Sequence, residues 1–450
     1  MTSLFSIRDP LRSPARWTLL IAAASMAACG DGRTPTGPAS SMPVRPNVIV
    51  LLVDTLRADA LGFGGCPRDT SPKLDRWARR GVVFRQATTP AGWTRPAVVS
   101  LFTGLYPAAH GVQDKDHVLP EQAMTLAEVF RAGGYRTQAF VTNFAVHPQF
   151  GTGQGFDTFR FFDKKVDSPP DVPGKLNYVP VGAIDDEVRR FLAADDPRPF
   201  FAYIHTTDPH YPYMPPVEDL LFGTRARGRY DGEVHYTDRI LGGWLDLLEQ
   251  RGLLERSIVV LTSDHGEEFH EHGFTGHGVT VFEECVRVPL VLWAPGLAPG
   301  HRDALVSLTD LAPTLLEAAG LPAPRQFAPQ GRSFWRLARN GDAAGGWSWA
   351  YSELVYPSKG ITFAYREGPL KVLHIVEDKL NRRDASYLFD VRQDPFEQHD
   401  LGPARPDRLR RLREKMRAVR REHQTLALES ERQPLDGEAL DALRALGYVD

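Results

Sequence analysis

The sequence predicts an α/β fold with a doubly wound, mostly parallel sheet and a smaller C-terminal α+β subdomain. Two continuous apolar runs, residues 47–53 and 258–262, are rich in β-branched side chains and are typical of strands buried on both faces of a parallel sheet. Segments with helical periodicity alternate with such runs, and this alternation favours a sheet covered by helices. A chain of 450 residues that is 42% hydrophobic can bury a large core.

The first three quarters of the chain supply the elements of the large sheet. In chain order, we predict strands at residues 47–53, 82–84, 137–141, 200–205, 258–262 and 290–293. Between them we predict helices at residues 73–81, 96–103, 126–133, 184–194 and 231–250. These elements together define a large domain over residues 47–338.

A change in composition at residues 339–346 predicts the start of a C-terminal subdomain over residues 347–450. Short runs at residues 349–354, 361–366, 370–376 and 387–390 predict antiparallel strands. Residues 405–423 then carry apolar side chains at helical spacing, and the many arginines of this segment indicate a solvated helix face.

The N-terminus predicts export. Residues 1–29 contain arginines followed by an apolar run that is shorter than the roughly 20 residues needed to cross a bilayer, which is typical of a signal peptide. The run ends at Cys29 in a sequence that resembles a bacterial lipobox, and a flexible tether follows at residues 30–46. Lipid on Cys29 would make the protein a membrane-anchored lipoprotein that faces the periplasm or the cell surface. Because Met26 departs from the usual leucine, ordinary cleavage to a secreted or periplasmic protein stays open.

Charge and cysteine content exclude some classes of protein. The net charge is -3, and no basic stripe interleaved with aromatic residues is present, so the sequence predicts no nucleic-acid partner. Cys66 and Cys285 remain once Cys29 is set aside; one disulfide is possible, but their spacing does not require it.

Ligand-type side chains directly follow two of the predicted strands. Asp54 comes after the first strand, and Asp264 and His265 come after the strand at residues 258–262. The carboxyl ends of parallel strands meet at one edge of a sheet, where ligands bind. A buried aspartate without a partner is costly, which favours a metal ligand over a helix cap for Asp54. The sequence therefore predicts that these three side chains converge on a divalent metal.

Thr94 lies between the two halves of this predicted metal site, just ahead of an apolar helix start. A bound cation lowers the pKa of a coordinated hydroxyl, and a helix N-terminus offers amide donors to an anion. We therefore predict that Thr94 is both a metal ligand and the nucleophile that attacks a phosphate or sulfate ester. The alternative is a hydroxyl that only caps the helix.

An ordered set of motifs resembles the sulfatase family of the alkaline phosphatase superfamily. The motifs are residues 54–59, 70–75, 101–107, 110–112, 208–212, 262–268, 276–278, 287–290, 310–315 and 388–390, followed by Asp394 and Pro395. The resemblance covers most of the chain. It implies the superfamily fold and a metal-dependent ester hydrolase.

The sequence departs from the family pattern at the nucleophile. Sulfatases carry a Cys-or-Ser, any residue, Pro, any residue, Arg signature whose first residue is oxidised to formylglycine, whereas this chain has Thr94 and Val98 at the first and last positions. Threonine cannot yield that aldehyde. A threonine here is similar to the nucleotide pyrophosphatases, phosphodiesterases and phosphoethanolamine transferases of the superfamily, and Thr55 replaces the second of the paired aspartates of the family.

The resemblance also implies roles for two histidines and two arginines. His210 lies where family members have a substrate-contacting histidine, and His277 lies near the sulfate-contacting lysine; we predict catalytic and substrate-binding roles for both. Arg57 and Arg95 are predicted substrate contacts that compensate for the absent arginine at residue 98. A histidine at 277 is similar to the two-metal phosphoesterases, so a second metal stays open.

The expected metal follows from the ligand types. Sites made only of oxygen suit calcium or magnesium, whereas an imidazole at residue 265, in place of the asparagine frequent in the family, favours zinc or manganese; calcium stays open.

Three functions are consistent with these residues. The first is a hydrolase or transferase that cleaves a phosphoester or phosphodiester through Thr94, on a small-molecule, glycan or lipid ester. The second is a sulfatase that works without formylglycine. The third is an inactive surface protein that binds an anionic glycan. The set of Asp54, Thr94, Asp264 and His265 favours an enzyme, because a binding protein would not need all four.

Overall fold

A computed structural model describes residues 45–168, 178–341, 348–356 and 358–448 of the chain. The predicted signal peptide and residues 30–44 of the predicted tether lie outside the described residues, as does most of the predicted boundary at residues 339–346. Residues Arg45–Asp450 belong to one compact unit.

The described part of the chain contains fourteen strands. They are β1 (Asn47–Val53), β2 (Val82–Thr88), β3 (Arg136–Val141), β4 (Thr158–Phe161), β5 (Phe200–Thr206), β6 (Ser257–Thr262), β7 (Glu268–Phe269), β8 (Thr275–Gly276), β9 (Leu290–Trp293), β10 (Gly300–Ser307), β11 (Trp349–Tyr356), β12 (Gly360–Glu367), β13 (Leu370–Asp378) and β14 (Arg383–Asp390).

Twelve α-helices accompany these strands within the same residues. They are α1 (Pro72–Ala78), α2 (Thr94–Thr103), α3 (Pro107–His110), α4 (Leu126–Ala132), α5 (Lys164–Asp167), α6 (Val181–Ala193), α7 (Ala226–Gln250), α8 (Glu283–Val286), α9 (Leu311–Ala318), α10 (Trp335–Asn340), α11 (Pro406–Thr425) and α12 (Gly437–Ala445).

The large sheet has eight strands in the order β10-β2-β9-β6-β1-β5-β3-β4. Strand β9 runs antiparallel to both of its neighbours, and the other neighbouring pairs run parallel. The predicted fold class, a mostly parallel sheet with helices on both faces, is confirmed. The structure adds strands β4 and β10, which lie at the two edges and which the sequence did not indicate.

Strand β1 shows why the central strands are continuously apolar. Val48, Val50 and Leu52 pack into one hydrophobic core with α4 and α9, while the alternate side chains Ile49 and Leu51 pack into a second core with α1, α6 and α7. Each fully buried aliphatic side chain stabilises the fold by about 1.5–3 kcal/mol. Because both faces are covered, a polar residue is tolerated only where the strand ends, and Asp54 is the first such residue.

The C-terminal part forms the predicted antiparallel sheet, with strand order β11-β12-β13-β14. Helix α11 covers one face of this sheet through Leu412 and Met416, which are both buried. Its arginine-rich side is partly exposed, in agreement with the prediction of a solvated face. Helix α12, near the C-terminus, was not predicted.

Two further observations concern the membrane and the cysteines. In the described residues, the helices are too short or too polar to span a bilayer. Cys66 and Cys285 are both free thiols, so the disulfide that the sequence left open is not formed.

Candidate active site

Three adjacent parallel strands bring the polar residues to one edge of the sheet. Strand β1 lies between β5 and β6, with Leu52 in register with His205 on one side and Thr262 on the other. The residues that follow these strands therefore meet at the carboxyl edge. Asp54 and Asp264 are both fully buried there. The convergence predicted from the sequence is present.

Thr94 is carried to this edge by the first turn of α2. The helix is capped at Trp93, and no side-chain cap bond is formed, so the hydroxyl of Thr94 does not act as a helix cap. Its Oγ1 lies 3.1 Å from Nε2 of His265 and is hydrogen-bonded to the hydroxyl of Tyr448. The hydroxyl therefore faces the predicted metal ligands.

His265 occupies the centre of the cluster. Its Nε2 lies 3.5 Å from Oδ1 of Asp54 and 3.5 Å from Oδ2 of Asp264. Its Nδ1 donates to the carbonyl of Gly266 at 2.9 Å, which leaves Nε2 with the lone pair that a metal ligand needs. The ligand atoms of Asp54, Asp264 and His265 all lie within 4.8 Å of one another. This spacing fits a single divalent cation.

The electrostatics of the cluster also fit a cation. Oδ1 of Asp54 and Oδ2 of Asp264 are buried without a hydrogen-bond partner among the described residues, which is costly for carboxylates that no cation compensates. Burial, with the nearby Asp54, raises the pKa of Asp264 to about 6. Burial alone would lower the pKa of His265, but the two carboxylates raise it above its ordinary value. Donors of mixed oxygen and nitrogen type suit zinc or manganese.

Two residues that the sequence analysis did not select hold Asp54 in place. Asn143, just after β3, donates a hydrogen bond from its amide to Oδ2 of Asp54, and Nε2 of His205 lies 3.4 Å from the same oxygen. Burial alone would raise the pKa of Asp54, but the interactions with His205 and His265 bring it below its ordinary value. Both supporting residues follow or end an apolar strand, and that signal could have identified them.

His210 and His277 form the next layer of the site. Their ring centroids are 5.0 Å apart, and the ring of His277 lies 4.5 Å from that of His265. Nδ1 of His210 donates to the carbonyl of Tyr211 at 2.8 Å. Nδ1 of His277 lies 3.0 Å from Oε1 of Glu267. Nδ1 of His210 therefore carries the proton, and its Nε2 is buried without a hydrogen-bond partner among the described residues; Nδ1 of His277 donates when Glu267 is ionised.

Burial controls the charge state of these histidines. It lowers the pKa of His210, with a further contribution from His277, and it lowers the pKa of His277 well below the ordinary value, with a contribution from His265. Burial also raises the pKa of Glu267 to about 7. Neutral imidazoles can accept a proton or bind a cation, so the geometry is compatible with the catalytic roles predicted for them and with the second metal that the sequence left open.

Arg57 has a different position from the one expected. Its guanidinium is 2% exposed and bonds to both oxygens of Asp59, to the carboxylate of Glu271 and to the carbonyl of Glu267. All three nitrogens are thereby used within the protein, because a buried cation must be paired. Arg57 therefore links the loop after β1 to the loop after β6. This geometry does not support the predicted substrate contact.

Arg95 is also buried. Its Nε donates to the carbonyl of Ala145 at 2.8 Å, Nη1 donates to the carbonyl of Lys115, and its guanidinium carbon lies 3.4 Å from the centre of the Phe150 ring. Burial lowers its pKa to about 9, so the side chain is a cation at neutral pH. Nη2 has no hydrogen-bond partner among the described residues, and its substrate contact stays a prediction.

A cavity of about 750 Å³ opens onto the site. His210 and His277 line its inner end, while Phe269, Phe274 and Lys359 contribute to its walls. A volume of this size accepts a small-molecule or sugar ester. The cationic and aromatic wall suits an anionic ester that carries an apolar or ring-shaped group.

Two more residues at the site are not among those that the sequence predicts. Glu267 orients His277, and its place two residues after His265 was a usable signal. Tyr448 lies 354 residues from Thr94 in the chain, follows no apolar strand and belongs to none of the sulfatase-like motifs. Only the packing of the C-terminus against the catalytic edge reveals its position.

Comparison with known proteins identifies the group to which this site belongs. The chain matches the Sulfatase family over residues 46–321 and the C-terminal family of N-sulphoglucosamine sulphohydrolase over residues 270–422. It is 26% identical over 425 residues to an ulvan-active sulfatase of Formosa agariphila, covering 85% of this chain and 82% of that protein. It is 28% identical over 371 residues to the N-acetylgalactosamine-6-sulfatase of Canis lupus familiaris, covering 70% and 68%.

Solved structures share the fold. A phosphonate monoester hydrolase of Agrobacterium radiobacter aligns with a TM-score of 0.70 at 20% identity, covering 84% of this chain and 96% of that chain. A 2-O GAG sulfatase aligns with a TM-score of 0.71 at 19% identity, covering 87% and 95%. The family match over residues 46–321 spans more than half of the sequence, and the chain belongs to the sulfatase family.

Proposed function

We propose that this protein is a metal-dependent hydrolase of sulfuric esters that uses the hydroxyl of Thr94 as its nucleophile. The observation that carries the proposal is the meeting of Thr94 Oγ1 with His265, 3.1 Å away, beside two buried carboxylates. Sulfur rather than phosphorus is supported by the sequence relatives, which are mainly sulfatases.

Asp54, Thr94, Asp264 and His265 would hold the metal, with zinc or manganese favoured by the imidazole and calcium as the alternative. A divalent cation at these residues supplies positive charge that lowers the pKa of the Thr94 hydroxyl and attracts the anionic ester. The first turn of α2 adds backbone N–H groups at the same place. The residues of the chain therefore position the nucleophile before substrate arrives.

The proposed reaction has two displacement steps. In the first, Thr94 Oγ1 gives its proton to solvent and forms a bond to sulfur, and the ester oxygen leaves with its electron pair and takes a proton from solvent. In the second, a water attacks the sulfur of the sulfo-threonine, and Thr94 Oγ1 leaves with the bonding electrons. When Glu267 is ionised, Nδ1 of His277 donates to it, and Nε2 of His277 then has the lone pair that accepts the proton of that water.

A phosphoester or phosphodiester is the second candidate substrate. Thr94 itself favours it, since threonine stands at the position that the family resemblance assigns to formylglycine and cannot form that aldehyde. Phosphoryl transfer through a threonine follows the same two displacements at phosphorus, and the same four residues would hold the cation. The expectation that this is the main activity is not favoured by the sequence relatives.

The proposal is tested by steady-state hydrolysis of 4-nitrophenyl sulfate, 4-nitrophenyl phosphate and bis-4-nitrophenyl phosphate, with zinc, manganese or calcium added. Thr94→Ala is compared with the control Thr103→Ala, which removes another buried hydroxyl from the same helix. The hydroxyl of Thr103 donates to the carbonyl of Val99 and accepts from the amide of Leu105, both within α2 or just after it. Turnover of the sulfate ester that is lost only in Thr94→Ala supports the proposal.

The other outcomes discriminate between the alternatives. Turnover of phosphate esters alone, again lost in Thr94→Ala, selects the second candidate. An active Thr94→Ala variant excludes threonine as nucleophile. Binding of a sulfated glycan without hydrolysis of any ester by the metal-loaded protein points to the inactive binding protein.

We also propose that the protein is exported and that Cys29 is the residue that receives a lipid. Support comes from the arginine-containing, apolar N-terminus and the lipobox-like end of residues 1–29. Ordinary signal cleavage to a secreted or periplasmic protein is the alternative.

A further inference from the structure

Tyr448 contacts the proposed nucleophile although it lies at the far end of the sequence. Its side chain is fully buried, and its hydroxyl is hydrogen-bonded to Oγ1 of Thr94. The ring of His277 is 5.4 Å from the Tyr448 ring. The phenol therefore lies inside the catalytic cluster.

Several contacts hold the tyrosine in this position. Tyr356 donates a hydrogen bond to the Tyr448 carbonyl, and Nζ of Lys359 donates to the carbonyl of Gly447. The Tyr448 amide donates to the carbonyl of Leu443 at 2.8 Å, which ties it to the end of α12. The ring packs on Trp93, the residue before Thr94, at 5.4 Å.

Helix α12 carries these contacts to the rest of the protein. Asp436 caps its first turn by accepting from the amide of Ala439 at 2.8 Å. Leu443 and Leu446 are buried in one hydrophobic cluster with Phe150. The phenol is therefore fixed by packing before any substrate binds, as a group that stabilises developing charge must be.

The chemistry of the neighbours determines which way the hydrogen bond runs. Nδ1 of His265 donates to Gly266, so a metal held at Nε2 would leave that atom, which faces Thr94, without a proton to donate. A phenol keeps its proton at neutral pH, since its ordinary pKa is about 10. Among the described residues, Tyr448 is the only side chain in contact with Thr94 Oγ1 that can donate to it once Thr94 has lost its proton.

We propose that Tyr448 is a catalytic residue that donates its O–H to the Thr94 oxygen, an inference that rests on the proposed role of Thr94 as nucleophile. The hydrogen bond stabilises the negative oxygen before attack. It strengthens again in the second step, when the bond between that oxygen and sulfur or phosphorus breaks and the electron pair returns to Oγ1. The phenol keeps its proton throughout, so no further group has to supply or remove one.

The test is Tyr448→Phe in the full-length, metal-loaded protein, because this change removes the hydroxyl and keeps the ring on Trp93. Tyr135→Phe is the matched control. It also removes a phenol hydroxyl, but that hydroxyl lies away from the site and donates to the backbone carbonyl of Pro46. Steady-state rates on 4-nitrophenyl sulfate and phosphate, affinity for orthovanadate by titration calorimetry and melting temperature are measured for both, beside Thr94→Ala.

We expect kcat to fall about 10- to 100-fold in Tyr448→Phe, the effect of one hydrogen bond to a charged oxygen, and orthovanadate to bind about tenfold more weakly. Tyr135→Phe should change neither. A Tyr448→Phe variant with unchanged kcat and unchanged orthovanadate affinity overturns the inference, while an inactive Thr94→Ala leaves the proposed function intact. A rise in kcat/KM in Tyr448→Phe also overturns it, since the tyrosine would then be an obstruction that competes with substrate. If Thr94→Ala is fully active, the proposed function fails and the inference fails with it.

Discussion

Nε2 of His265 and the hydroxyl oxygen of Thr94 lie 3.1 Å apart, although 171 residues separate them in the chain. The first belongs to the loop after β6 and the second to the first turn of α2. Their meeting places a candidate nucleophile against a candidate metal ligand whose Nδ1 donates to the Gly266 carbonyl.

Replacing Asp264 by Asn should remove most of the metal affinity. The change keeps the size of the side chain but takes away one of two buried negative charges that face His265. We expect kcat/KM to fall about 100-fold or more and bound metal to fall below one ion per two chains after gel filtration. Metal content by plasma mass spectrometry is the measurement. Asp303→Asn, at an exposed ion pair with Arg85, is the control, and equal metal content in both variants would contradict the prediction.

Asp238 should make the protein less stable as pH rises from about 4 to about 6. Its carboxylate is buried, and burial raises its pKa from 3.8 to about 6. Between these values the folded state holds a proton that the unfolded state has lost, so the free energy of unfolding falls as pH increases. The free energy of unfolding should fall by about 2 kcal/mol as pH rises through this window, since one pKa unit corresponds to 1.36 kcal/mol.

Asp238→Asn isolates this contribution. The amide oxygen can still accept from the backbone N–H of Leu74, as one carboxylate oxygen does at 2.6 Å, and the amide does not titrate. Its NH2 faces the N–H of Lys73, from which the other carboxylate oxygen accepts, and this lowers stability by an amount that does not depend on pH. Urea unfolding of both proteins at pH 4, 5, 6 and 7, with EDTA present, measures the difference. The stability of the wild-type protein relative to the variant should decrease across the series; a constant difference would refute the assigned pKa.

Lys371 should be essential to the stability of the region beneath the site. Its ammonium is buried between Glu283 and Glu397, 3.0 Å from an oxygen of each. Glu283 begins α8, and the next two residues of that helix accept backbone hydrogen bonds from Glu267 and Gly266. Lys371→Met leaves the buried carboxylate of Glu397 without its ammonium partner and Glu283 with Arg366 at 3.8 Å, which should cost about 3–5 kcal/mol.

Thermal and urea unfolding of Lys371→Met measure that loss. The control is Lys415→Met, which breaks a half-exposed pair with Glu367 and should cost less than about 1 kcal/mol. Similar losses in the two variants would show that the buried cation has no special role.

Cys29→Ala should release the protein from the membrane if Cys29 carries a lipid. In a bacterial host, wild-type protein should fractionate with membranes and enter the detergent phase of Triton X-114, because acyl chains supply the anchor. The variant should appear in the aqueous phase. Wild-type protein in the aqueous phase would instead support ordinary signal cleavage.

Much of the fold could be predicted from local pattern. Runs with unbroken burial, such as β1, β5 and β6, were identified because a strand covered on both faces must be apolar along its whole length. The edge strands β4 and β10 were missed, since their burial is partial and their sequences, with Arg160 and Asp303, do not form an apolar run. Helix α12 was missed for a similar reason: only Ala439 and Leu443 of its residues are buried.

The sequence by itself determined the fold class, the sulfatase resemblance and the candidate metal-ligand set Asp54, Thr94, Asp264 and His265, because each of these residues follows a strand or begins a helix whose pattern is local. Only the tertiary structure decided what surrounds that set. It pairs Arg57 internally, places the ring of His277 beside that of His265 and brings the hydroxyl of Tyr448 to that of Thr94. These relationships depend on packing between segments hundreds of residues apart, and no short pattern in the chain records them.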